Sequence, residues 1–117
     1  MFTFEKSELT LNITGQKYTV NVLDRSAFET VAAVQQSLID TAGRLESIKL
    51  ETEAEAEVKG AMETAKKGID AMLGEGAFDE IFKGRIVNLV DIVQLVAYIA
   101  KEVNIYRNKR MTRYIPS

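Results

Sequence analysis

The side chains of this 117-residue chain that could do chemistry are carboxylates, amines and hydroxyls, because the sequence contains no Cys and no His. It therefore has no thiolate nucleophile, no disulfide, no imidazole base and none of the usual nitrogen or sulfur ligands of zinc. Asp79 and Glu80 are neighbouring acids, but they would point about 100° apart on a helix. Such a pair does not converge on a substrate, so we expect no catalytic residues and no enzyme activity.

Neither the other acidic residues nor the glycines of the sequence indicate a catalytic site, a bound ion or a cofactor. Glu51 and Glu55 form the acidic flank of an exposed helix, with no sign of a perturbed pKa or a pocket. No Asp-x-Asp-x-Asp-Gly calcium loop occurs in the sequence. Gly74 and Gly76 follow no predicted strand and no lysine comes directly after them, which favours a helix stop over a phosphate-binding loop. We therefore expect neither a metal ion nor a cofactor.

Charge is distributed unevenly, although the net charge is only −2. Residues 49–82 hold four basic and nine acidic groups, whereas residues 83–117 hold seven basic and two acidic groups. The basic region ends in a tail that could bind phosphates and stack on bases through Tyr106, Arg107, Lys109, Arg110, Arg113 and Tyr114. A pI of about 5.2 disfavours nucleic-acid binding, so a protein contact or a solvated tail is favoured. The acidic segment could pair with this tail within one chain or between subunits.

Residues 1–23 are predicted to form a β-hairpin, because apolar and polar residues alternate along two runs. Gly15 and Gln16 fit a two-residue type II′ loop, whose first position needs a positive φ. That loop places six apolar residues on one face in three cross-strand pairs, Ile13 with Tyr18, Leu11 with Val20 and Leu9 with Val22. Phe2 and Phe4 could extend the first strand. An isolated hairpin is marginal in water, so its apolar face must cover other elements.

Residues 24–73 are predicted to form one long helix or two abutting helices, since no Pro or turn cluster interrupts them. Ser26 and Glu29 match a capping box, and Asp24 is a competing cap two residues earlier. Apolar residues recur at helical spacing in two stripes, Phe28, Val31, Leu38, Ala42, Leu45 and Ile48, then Leu50, Ala54, Val58, Ala61, Ala65, Ile69 and Met72. Gly74 is placed to end the second stripe in the left-handed conformation.

Residues 77–107 are predicted to hold a short helix over 77–83 and a long helix over about 85–107. The long helix is apolar on nearly every side, which is typical of a helix buried in a bundle or against a partner. Asp91 interrupts it, and we interpret Asp91 as a residue near the start of the helix that faces water or pairs with Arg85. The alternative is a polar specificity point in an interface. Residues 108–117 are predicted to be a fraying basic tail.

Together these elements predict a mainly α fold of the α+β class, in which an N-terminal β-hairpin precedes a bundle of three to four helices. The length fits a single domain over residues 1–117. The apolar stretch 86–100 is shorter than the roughly 20 residues that span a bilayer, and the N-terminus lacks the pattern of a signal peptide. We therefore expect a cytoplasmic protein that makes no membrane contact.

Two functional classes fit these features. A protein-interaction module would use the apolar helix, whereas a nucleic-acid-associated regulator would use the basic tail. Ionic strength separates the two classes, because phosphate binding weakens steeply with salt and apolar burial does not. The long apolar helix also predicts self-association, and hence a homo-oligomer, since it presents more apolar surface than one short bundle covers.

Several segments resemble small tail-module proteins of long-tailed bacteriophages of Gram-positive hosts. Residues 9–20, LTLNITGQKYTV, resemble the short opening hairpin of these proteins. Residues 69–82, IDAMLGEGAFDEIF, and residues 88–91, NLVD, are similar to the tail assembly chaperone type, as is the basic end with its tyrosines.

The resemblance implies a non-enzymatic assembly factor in the host cytoplasm. Such chaperones coat apolar helices of the tape measure protein and help to recruit tail tube subunits. A different small phage structural or host-directed inhibitory protein is the nearest alternative. The candidate contact residues are Phe78, Ile81, Phe82, Leu89, Val93 and Val96, with Arg110 and Arg113 as secondary points, although an apolar stripe of this kind can also be core.

Overall fold

A computed structural model of the chain describes residue 2 and residues 8–21 and 25–114. Within this part of the chain a two-stranded antiparallel hairpin is followed by four helices, which confirms the predicted α+β fold. The elements are β1 (Glu8–Ile13), β2 (Gln16–Asn21), α1 (Arg25–Ser47), α2 (Glu51–Leu73), α3 (Ala77–Ile81) and α4 (Leu89–Tyr114). They form an elongated, flat molecule with principal extents of 63 × 33 × 18 Å.

The hairpin loop is Thr14-Gly15, so the predicted loop at Gly15-Gln16 is wrong by one residue and the predicted pairing by two. Ile13 pairs with Gln16, and further along Leu11 pairs with Tyr18 and Leu9 with Val20. The φ angles of Thr14 and Gly15 are both positive, at 51° and 84°, as a type I′ turn requires. A shift of two residues leaves every side chain on its predicted face, since strands alternate with period two. The apolar face therefore still forms as expected.

Residues 25–73 form two helices, which settles the choice between one long helix and two abutting ones. The break is at residues 48–50, where Leu50 is extended with φ −93° and ψ 128°. α1 begins at Arg25, so Ser26 lies in the first helical turn and not at the predicted N-cap position. The competing cap Asp24 lies outside the described residues, as do Val22, the predicted partner of Leu9, and Phe4.

Gly74 ends α2 as predicted, but its conformation differs from the predicted left-handed one. Its φ of 119° and ψ of 150° lie in a region that only glycine adopts readily, and its N–H donates to the Asp70 carbonyl at 2.9 Å. The left-handed residue is Gly76, with φ 84° and ψ −2°, which directly precedes α3. The turn therefore needs both glycines, each for a different backbone conformation.

The long helix α4 is displaced toward the C-terminus relative to its predicted range. It begins at Leu89 because Asn88 caps it: the Asp91 N–H donates to Asn88 Oδ1 at 2.9 Å, and Asn88 Nδ2 donates to Asp91 Oδ2 at 2.7 Å. Arg85 also contacts that carboxylate at 2.8 Å, which confirms the predicted role of Asp91. The helix continues to Tyr114, so the prediction of a fraying tail from residue 108 is wrong for residues 108–114.

The apolar core lies between the hairpin, α3 and the inward sides of α1, α2 and α4. Its buried apolar residues are Leu11, Ile13, Tyr18, Val20, Val31, Val34, Leu38, Ala61, Ala65, Ile69, Met72, Ala77, Phe78, Ile81, Phe82, Ile92, Val96, Ile99, Ala100 and Val103. Burial covers one side of α4 only, because Val90 and Val93 on its other side are 67% and 45% exposed. The chain itself therefore buries one side of α4, and burial against a partner stays the expectation for these positions.

Close packing of α1 on α2 depends on the missing side chain of Gly68, which is buried. A Cβ at this position would overlap Val34 Cγ2, and Val34 is itself buried and stiff about χ1. We predict that Gly68→Ala destabilises the fold by about 1–3 kcal/mol, as overpacking in a core typically does. Urea denaturation followed by circular dichroism measures this change.

Gly60 of the same helix is the matched control, because a Cβ there meets nothing within 4 Å. Gly60→Ala should stabilise the protein by about 1 kcal/mol through helix propensity. Combining Gly68→Ala with Val34→Ala should restore part of the loss, since the smaller residue makes room. Equal effects of the two alanines would contradict the proposed close approach of the helices.

The hairpin is tied to the helices by Tyr18, whose hydroxyl donates to Glu80 Oε1 at 2.6 Å. Burial, this hydrogen bond and the negative charge of Glu80 raise the pKa of Tyr18 from 10.0 to about 12. The neutral phenol is thus favoured by folding, so its contribution to stability is complete below pH 10 and is lost as the pH rises through about 12. We predict that Tyr18→Phe costs about 1 kcal/mol near neutral pH.

A denaturation series between neutral pH and pH 12 checks this linkage. The stability difference between the wild type and Tyr18→Phe should shrink as the pH approaches 12. Glu80→Gln keeps an acceptor but removes the charge, so the pKa of Tyr18 should fall while remaining above 10.0 because burial persists. A stability difference that is constant over the whole pH range would argue against the role of this bond.

Candidate functional site

The helices α1 and α4 pack side by side in opposite directions. At one end the Arg107 guanidinium lies over the Phe28 ring, 4.3 Å from its centroid. Toward the other end Ala42 of α1 and Val93 of α4 line the same hollow. Residues near the start of α1 thus lie beside the last turns of α4, and the reverse holds at the other end.

The outer surface between these two helices is a shallow apolar groove, which we call the α1–α4 groove. It consists of two hollows of about 230 and 90 Å³ that share Gln35. The first is lined by Gln35, Leu38, Ile39, Ala42, Val93, Val96 and Ala97, and the second by Phe28, Val31, Ala32, Gln35, Ala100, Val103 and Asn104. From Val93 to Asn104 the groove follows α4 for about 17 Å, or three helical turns.

The described side chains that line the groove are uncharged, and several of the apolar ones are exposed. Ile39 is 62% and Val93 45% exposed, and Ala42 and Ala97 are also exposed. Gln35 supplies the polar group that the two hollows share. A contiguous apolar strip of this kind suits a protein partner better than solvent.

The predicted contact residues divide into buried and accessible groups. Phe78, Ile81, Phe82 and Val96 are core residues, each at most 6% exposed. The rings of Phe78 and Phe82 pack on each other with centroids 4.7 Å apart. Leu89 is half-buried, and Val93 lies in the α1–α4 groove. Arg110 and Arg113 belong to the last turns of α4, and their side chains lie outside the described set.

Sequence reasoning missed Ala32 and Ile39 on the α1 side of the groove. Ala32, Gln35, Ile39 and Ala42 are spaced by three, four and three residues, which places them on one face of the helix. Ala42 belongs to the predicted apolar stripe of α1, whereas Ala32 and Ile39 lie outside that stripe. The signal was present in the spacing, but Gln35 and the small alanines weaken it.

The acidic residues considered for catalysis are occupied in structural contacts. Glu80 accepts the Tyr18 hydroxyl, whereas Asp79 pairs with Lys66 of α2 at 3.2 Å. The two neighbouring carboxylates therefore point toward different elements, as the helical geometry predicts. Within residues 2, 8–21 and 25–114 no three acidic side chains converge to hold a metal ion. In the same residues, no helix has an apolar stretch long enough to cross a membrane.

A hollow of about 710 Å³ opens between the end of α1 and the start of α2, and its lining is partly polar. Two of its three charged side chains pair with each other, since Arg44 contacts Glu57 at 2.9 Å, and Glu53 is the third. Arg44 also donates to the hydroxyl of Thr41, which is almost fully buried, at 3.3 Å. The paired groups stabilise the connection of the two helices, so we favour the α1–α4 groove as the candidate site.

Comparison with known proteins gives one informative match. No curated protein and no solved structure is significantly similar to the chain. The profile of a family of unknown function, DUF6673, matches residues 14–117. This range includes β2, all four helices and both sides of the α1–α4 groove. The chain therefore belongs to the DUF6673 family.

Proposed function

We propose that this protein is a non-enzymatic assembly factor that holds an apolar helix of a partner protein in the α1–α4 groove. The observation that carries the proposal is the uncharged lining of the groove, in which Ile39 and Val93 are exposed on facing helices. A helix docked there would bury these side chains and pack as a third helix against α1 and α4. Recognition of this type relies on apolar residues at helical spacing in the partner.

The length of the groove defines what the partner must offer. About three helical turns fit along it, so a partner helix would present apolar residues at positions i, i+3 or i+4, and i+7. Charged residues facing the hollow between Ile39 and Val93 are disfavoured, because the described side chains that line it carry no counter-charge and would desolvate them. Gln35 can accept or donate one hydrogen bond at the centre.

The identity of the partner follows from the sequence resemblance to tail assembly chaperones. On that basis the partner is a tape measure protein, whose long apolar helices need to be shielded, and the complex helps to recruit tail tube subunits. The expected place of action is the cytoplasm of the bacterial host, before the tail polymerises. The resemblance in residues 69–82 and 88–91 supports this assignment, and the groove supplies a surface of suitable chemistry.

Co-expression with a tape measure protein, the partner that the resemblance implies, tests the proposal. We expect a complex that survives a wash at about 1 M salt, because apolar burial is not screened. Ile39→Glu and Val93→Glu should each weaken recovery at least about tenfold, since a carboxylate would be desolvated in the bound state. Recovery is measured by quantitative pull-down.

Ile86→Glu is the matched control, because Ile86 is 90% exposed and does not line the groove. It introduces the same change of residue and charge, and it should leave recovery unchanged. Circular dichroism confirms that each variant is folded. Recovery of nucleic acid alone, lost at high salt, would refute the proposal and favour a nucleic-acid-associated regulator acting through the basic end of α4.

A further inference from the structure

The first half of the apolar stripe of α2 is less buried than the second half. From Ala61 onward the stripe is buried by the hairpin, α1, α3 and α4. Before that point it is open, since Leu50 is 60% exposed, and Ala54 and Val58 are half-buried. Ala54, Val58 and Met62 are the apolar side chains of a hollow of about 400 Å³ on the face of the helix.

This open hollow is surrounded by negative charge. Residues 51–58, which we call the acidic end, include four Glu and no basic residue. Glu51 and Glu55 line the hollow directly, and Lys59 stands at its far edge. The surface thus combines an apolar centre with an acidic border, which suits a helix that is both apolar and basic.

The chain itself contains a helix of that description. Residues 105–114, the last turns of α4, include four basic residues and no acidic one, and we call them the basic end. Two apolar side chains accompany these charges on the surface, Ile105 at 38% and Met111 at 47% exposure. Lys109 is exposed as well.

The acidic and basic ends of one chain lie at opposite ends of α1. The ion pair between Arg44 and Glu57 fixes the acidic end beside the last turns of α1. The contact of Arg107 with Phe28 fixes the basic end beside the first turns of α1. Phe28 and Arg44 are about 24 Å apart along the helix axis, so the two ends cannot meet within one chain.

We propose that the basic end of one copy docks on the apolar hollow of the acidic end of a second copy. The contact joins two different surfaces, so a pair of copies keeps one free acidic end, on one copy, and one free basic end, on the other. Such a head-to-tail contact builds rings or open chains and is not limited to dimers. The proposal does not depend on the partner helix, because it uses residues outside the α1–α4 groove.

Light scattering at increasing protein concentration tests this association. At about 0.01 M salt, where the Debye length is roughly 30 Å, the mass should rise steadily above twice the chain mass of 13.1 kDa. At about 1 M salt, where the Debye length is roughly 3 Å, the mass should fall toward that of one chain. A single chain at all concentrations and low salt would overturn the proposal.

Charge reversal at each end gives a sharper test. Glu51→Lys with Glu55→Lys blocks the acidic end, and Lys109→Glu with Arg113→Glu blocks the basic end. Each double variant alone should remain a single chain, because like charges would face each other. An equimolar mixture should form complexes of at least twice the chain mass, because the intact basic end of one variant meets the intact acidic end of the other. A wild-type mass that stops at a closed dimer would contradict head-to-tail growth.

Matched controls carry the same charge changes elsewhere on the surface. Glu63→Lys with Glu75→Lys and Lys17→Glu with Lys83→Glu should associate like the wild type. Val93→Glu in the α1–α4 groove should also associate normally, even though it impairs the partner helix. Loss of association in Val93→Glu would instead place the self-contact in the groove and overturn this proposal without deciding the proposed function.

Discussion

The fold depends on the burial of one side of α4. Ile92, Val96, Ile99 and Val103 are each at most 1% exposed, and the elements around them are α1, α2 and β1. The helix therefore acts as the element on which the others assemble, and it holds α1 and α2 at a fixed distance from the hairpin. The opposite side of α4 is also rich in apolar residues. Core packing buries only one side, so apolar surface stays exposed along the α1–α4 groove.

Local chemistry in the sequence determines the type and the inward face of most elements. Period-two alternation identifies the hairpin face, and helical spacing identifies the buried residues of α2. The turn was misjudged because Thr14 is β-branched and such residues rarely adopt a positive φ, so Gly15 was assigned the first loop position. The start of α4 was misjudged because apolar residues at 86–87 extend the helical pattern, whereas Asn88 caps the helix after them.

The candidate site was harder to predict because it depends on which of two similar stripes the tertiary structure covers. Val93 and Val96 both line the α1–α4 groove, yet Val93 is 45% exposed and Val96 is buried. Phe78, Ile81 and Phe82 are equally apolar, and α3 directs all three inward. Only long-range packing distinguishes these cases, and spacing along the chain does not contain that information. The groove on α1, by contrast, was encoded in the spacing of Ile39 and Ala42.

The thickness of only 18 Å has an energetic consequence. A compact monomer of this mass exposes roughly 6,400 Å² by the usual scaling of area with mass, whereas this chain exposes 8221 Å². A thin plate thus keeps more of its chain hydrated and gains less free energy from its own folding. Any ligand that covers a broad side shifts the unfolding equilibrium by mass action. In such a molecule, the free energy of unfolding therefore rises with the fraction of chains whose broad side is covered by a ligand.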